Sequence, residues 1–159
     1  MNGPRWLRFN MKALHDVASI AYGGALAACL VINAVADRTS PTDFAAARQL
    51  FAAIAQYLLV PSMAVVVVSG LIALAATQAY KDAGWAWVKA LLGLSVFEAT
   101  LLVVASGQTQ AQLVAAIADP ARLDALLRSE RNTLWLLIVV SVVNVVLAVW
   151  RPKLMVKVR

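Results

Sequence analysis

Four stretches of the chain, Met11 to Val35, Phe51 to Thr77, Trp85 to Ala105 and Leu134 to Trp150, are long and apolar enough to cross a hydrocarbon core as helices. No feature constrains the fold more. In lipid every backbone N–H and C=O must be satisfied within the spanning element, which leaves helices as the solution for runs of this length. Hydrophobic residues make up 62% of the 159 residues and charged residues 14%, a balance too apolar for a soluble domain of this size. The sequence therefore predicts an all-α polytopic membrane protein. Residues 1–159 form a single domain, a four-transmembrane-helix bundle with short amphipathic helices on the external side, because the connections are too short to fold separately.

The formal net charge of +6 does not point to nucleic acid, since the basic residues flank the spans and form no patch of their own. Arg5, Arg8, Lys12, Lys81, Arg151, Lys153, Lys157 and Arg159 fall on one side, with Asp82. On the other, Arg38, Arg48, Arg122, Arg128 and Arg131 are balanced by Asp37, Asp43, Asp119, Asp124 and Glu130. The positive-inside rule then places both termini in the cytoplasm, with the protein in a bacterial inner membrane and the lipid bilayer as its main partner. Leu26-Ala27-Ala28-Cys29 matches a lipoprotein cleavage box and Ala34-Val35-Ala36 a signal-peptidase site. Against both, Asp16 interrupts the apolar core such a signal needs and the apolar run continues beyond Cys29, so the first span is read as retained. Pro41 suits the first turn of a second helix that projects beyond the membrane before its span begins. Between the third and fourth spans, residues 108–132 read as two amphipathic helices broken before Pro120.

Chemistry is concentrated in a few intramembrane polar residues, which are costly in lipid and so mark candidate sites. His15 is the only histidine. At about 100° per residue, His15, Ser19, Tyr22, Cys29 and Asn33 share one stripe of the first helix, expected to face the bundle interior. Lys89 lies as far into the third span as His15 into the first, giving the two a common depth. Glu98, about 13 Å deeper than Lys89 and on the opposite side of the helix, falls near the midplane. Tyr57, Ser62 and Asn144 share that depth, which allows a polar layer with Tyr22 and Glu98, and Pro61 frees a backbone carbonyl beside it.

The order Lys12-Ala13-Leu14-His15, Pro61-Ser62-Met63 with Ser69-Gly70-Leu71, and Trp87-Val88-Lys89-Ala90-Leu91-Leu92 resembles a four-helix membrane superfamily. That superfamily includes HemJ-type protoporphyrinogen oxidases, CopD-like proteins and a related uncharacterised integral-membrane family, to which the chain is most similar. The resemblance implies haem b or a related porphyrin near the cytoplasmic side, with His15 as candidate iron ligand and Lys89, Ser19 and Tyr22 around the cofactor. It implies a redox role with porphyrin or quinone as partner. In one departure, Ala21-Tyr22-Gly23-Gly24 stands where HemJ-type enzymes tend to carry tryptophan and methionine. Because there is a single histidine, the iron would be five-coordinate, take Lys89 or Met63 as second ligand, or share ligands across a homodimer. Two further readings stay open: a non-catalytic subunit of a larger membrane complex, and a small-solute or proton pathway built on Glu98.

Overall fold

The computed structural model describes residues 5–76, 83–105 and 112–150. Helix α1 spans Arg5–Val35. Helix α2 (Pro41–Ile54) runs through a π-helical turn (Ala55–Leu59) into α3 (Val60–Ala76). Helix α4 spans Gly84–Ala105 and α5 spans Pro120–Trp150. Four helical stretches are long and apolar enough to cross a membrane, with α2, the π turn and α3 acting as one. The protein is thus a multi-pass helical membrane protein. α1 packs on α3, α3 on α4, α4 on α5 and α5 back on α1, closing an up-down-up-down bundle.

Each boundary has a local cause. Ser40 caps α2 by accepting a hydrogen bond from the Asp43 N–H at 3.3 Å, and Pro41 occupies the first turn, where no intrahelical partner is needed. Ser40→Ala should cost about 1 kcal/mol, read as a lower thermal midpoint in mild detergent. Before it, the exposed Asp37 carboxylate accepts from the Thr39 N–H at 2.8 Å and the Thr39 hydroxyl at 2.7 Å, bonds that hold its pKa below the ordinary carboxylate value. Asp119 starts α5 in the same way as Ser40 starts α2, accepting from the Arg122 N–H at 3.2 Å. Pro61 has no N–H to return to the preceding turn. The π turn falls immediately ahead of it, and the Ser62 hydroxyl donates to the Leu58 carbonyl at 2.6 Å, so the helix continues without a break.

The break before Pro120 is present, as a 3-10 turn at Ala116–Ala118 with extended Asp119 after it. Beyond the break, the structure differs from the expectation of a second short amphipathic helix. Residues 120–132 and the fourth span are one continuous helix of 31 residues, because no helix-breaking residue separates Leu127 from Leu134. Residues 108–111, Thr77, Lys81, Asp82 and the basic segment from Arg151 to Arg159 lie outside the described residues.

The helices are unequal. The 36-residue stretch Pro41–Ala76 is about 54 Å long against a hydrocarbon core of about 30 Å, so the bundle projects at the end where α1 meets α2, here the hairpin end. Two apolar clusters result. One fills the middle of the bundle, with Tyr22, Leu26, Phe51, Leu59, Met63, Val96 and Leu137 among its buried members. The other lies in the projecting part, where Phe44 packs with Leu113, Ala116, Leu123 and Leu127.

Candidate functional site

At the opposite end, which carries the N-terminus of α1, His15 is half-buried against α3. Its Nδ1 lies 2.8 Å from the Ser69 hydroxyl oxygen. Ser69 in turn donates to the Val65 carbonyl at 2.6 Å, with the Val66 carbonyl at 3.1 Å. A serine hydroxyl has one proton, and when a carbonyl takes it Ser69 can accept from the ring. That arrangement corresponds to the tautomer with the proton on Nδ1 and the Nε2 lone pair available. Gly70 completes the contact, since a Cβ built there would meet His15 Cε1 at 3.7 Å. Lys89, half-buried on α4, is within electrostatic range of the ring. The structure therefore brings together His15, Ser69 and Gly70 from two helices, with Lys89 of α4 close enough to act on the ring electrostatically.

The other members of the α1 stripe serve different partners. Ser19 bonds its own helix, donating to the His15 carbonyl at 2.8 Å. Tyr22, about 10 Å along α1 from His15, is buried with its hydroxyl 3.0 Å from the Thr100 hydroxyl, and Ser141 of α5 is also close to it. It ties α1, α4 and α5 together at mid-depth and does not line the surroundings of His15. Cys29 is fully buried in the central cluster.

The mid-depth layer forms in a reduced version. Tyr57 is 75% exposed on the outer surface and does not join it. Ser62 satisfies the backbone of its own helix. Glu98 also points outward and makes no hydrogen bond or ion pair among the described residues. Asn144 lies against Gly93, with Nδ2 3.7 Å from where a Cβ would sit, and its buried Oδ1 has no hydrogen-bond partner among the described residues. The layer that forms is Tyr22 with Thr100, and depth along the helix is an insufficient guide to which side each residue faces.

The most extensively bonded polar group sits at the hairpin end, where the sequence shows only a balance of charge. Arg48 is 1% exposed, and its guanidinium grips Glu130 through two bonds, Nη1 to Oε2 at 2.9 Å and Nη2 to Oε1 at 2.5 Å. Asn33 Nδ2 donates to Glu130 Oε2 at 2.6 Å and to the Leu127 carbonyl at 3.2 Å, while the Phe51 ring lies 4.2 Å below the guanidinium. This two-bond geometry is the strong form of an ion pair and joins α1, α2 and α5. Asn33 thus belongs to a structural lock. A second pair, Arg38 with Asp124, is exposed and adds little. The spacing of Asn33 with Cys29 is visible in sequence as part of the inward-facing stripe of α1, but nothing local connects it to Arg48 or Glu130.

Among the described residues no group of three or more His, Cys, Asp or Glu side chains converges as a metal site. Comparison with protein-family models, with curated proteins and with solved structures finds no match.

Proposed function

We propose that this protein is a four-helix inner-membrane protein that offers His15 as the single protein ligand to haem b or a related porphyrin, with a redox role toward a membrane quinone. The observation that carries this reading is the relay from the Val65 carbonyl through Ser69 to His15 Nδ1. A metal-ligating histidine characteristically donates its other ring N–H to a fixed acceptor, which sets the tautomer and the ring plane. Lys89 supports the reading as a cation for a porphyrin carboxylate at the same depth. His15 would hold the iron of such a group; Met63, buried in the central cluster about 9 Å along α3 from Ser69, does not join it. When bound, haem would supply a one-electron couple, with His15 holding the iron and Lys89 near a porphyrin carboxylate. The excess of basic residues flanking the His15 end supports a cytoplasmic location for that end. The wider resemblance to HemJ-type enzymes, and protoporphyrinogen oxidation with it, rests on the sequence motifs alone.

The test is spectroscopic. The full chain, expressed with haem supplied and purified in mild detergent, should show a Soret band that shifts on dithionite reduction. His15→Ala should abolish it, Ser69→Ala should weaken haem affinity about 10- to 100-fold, and Glu98→Gln should leave it unchanged. A colourless protein with full helical circular dichroism would overturn the proposal.

A further inference from the structure

The outward face of α4 carries a pattern that the haem reading does not use. Trp87, Leu91, Leu94, Glu98 and Leu101 are spaced by four, three, four and three residues, and all five are exposed. That is the spacing of a helix–helix seam, in which every side chain lies within a narrow stripe along the helix. Lys89 falls on the opposite side of the same helix, so this stripe and the surroundings of His15 are separate. Glu98 lies at the depth of the Tyr22–Thr100 layer, inside a segment that crosses the membrane. A carboxyl group facing hydrocarbon is costly unless something covers it.

We infer that this stripe is a homodimer interface, in which α4 of one protomer packs in parallel against α4 of a second copy with the two Glu98 carboxyls meeting at the two-fold axis. Geometry favours a second copy as the occupant. Two copies inserted in the same direction are related by an axis along the membrane normal, and a parallel seam places every position opposite itself. Glu98 then meets Glu98, and two carboxyl groups sharing a proton are mutually complementary donor and acceptor. The same position in a parallel seam is where a single polar residue fixes register and oligomeric state. At the same depth α5 presents Val139, Val142 and Val146, and α1 presents Gly23 and Gly24 with open space above them; the exposed Tyr57 beside α3 is polar but uncharged, and the exposed Asp16 of α1 lies nearer the end of its span. Interhelical polar contacts of this kind drive association of membrane helices. The seam is independent of His15, because it brings no second histidine near the first.

The test uses the full chain in liposomes in a Cys29→Ala background, with circular dichroism confirming the fold. Leu94→Cys should form a disulfide-linked dimer under mild oxidation, while Val142→Cys on α5 and Val17→Cys on α1 should not. Self-linkage at one position requires the two-fold arrangement. Glu98→Leu should raise the dimer dissociation constant about tenfold in detergent sedimentation, and Glu98→Gln, whose amide also pairs with itself, should restore it. A wild-type chain that stays monomeric at all concentrations, linkage through α1 or α5, or a Glu98→Leu variant that dimerises normally would each overturn the inference. Loss of the dimer with an unchanged Soret band would leave the haem proposal intact.

Discussion

Arg48→Met is expected to remove about 3–5 kcal/mol of stability, the largest effect of any single substitution of a charged residue in this chain. The cause is less the lost attraction than what remains. Glu130 has a side chain only 8% exposed and would keep its charge with one donor, Asn33, in place of three. Glu130→Gln should be similarly harmful, since it strands a guanidinium that is 1% exposed. The double variant Arg48→Met with Glu130→Gln removes both charges and preserves an oxygen for Asn33. It should recover most of the loss, and the coupling between the two sites should exceed about 2 kcal/mol in a double-mutant cycle. Reversible unfolding in mixed detergent micelles measures all four corners. A cost below about 1 kcal/mol for Arg48→Met would mean that water reaches the pair in solution.

Phe44→Ala should cost about 3–5 kcal/mol and lower the thermal midpoint by roughly 10 °C. Phe44 is fully buried with Leu113, Leu123 and Leu127 in the part of the bundle that projects beyond the hydrocarbon. There the full transfer term from water applies, together with the cavity left behind. Hydrogen exchange should accelerate first in α2 and at the start of α5, with Tyr22 and Thr100 at mid-depth unaffected. If the loss is small and exchange rises evenly along the bundle, the projecting cluster is not a packed unit.

The four spans, the helix start at Pro41, the break before Pro120 and the inward stripe of α1 are all legible from sequence, because each depends on local periodicity or on one residue's backbone chemistry. The common depth of His15 and Lys89 comes from counting residues. Ser69 as the partner of Nδ1 is not derivable by counting, since it requires the azimuth of α3 against α1. Tyr57 and Glu98 show the same limit from the other side: hydropathy gives their depth, and only packing shows that both face outward. The Arg48–Glu130 lock is hidden because exposed and buried arginines look alike in a polar flank, and the partners are 82 residues apart.

That separation orders the protein's biogenesis. At about 5–20 residues per second, Glu130 is synthesised roughly 4–16 s after Arg48. During that interval the first helical hairpin is already made while its arginine has no carboxylate to close on. A chain that stalls after α4 is left with Arg48 lacking the carboxylate that grips it in the finished bundle. Only arrival of the last helix supplies that partner, so the lock closes once the fourth span is in place.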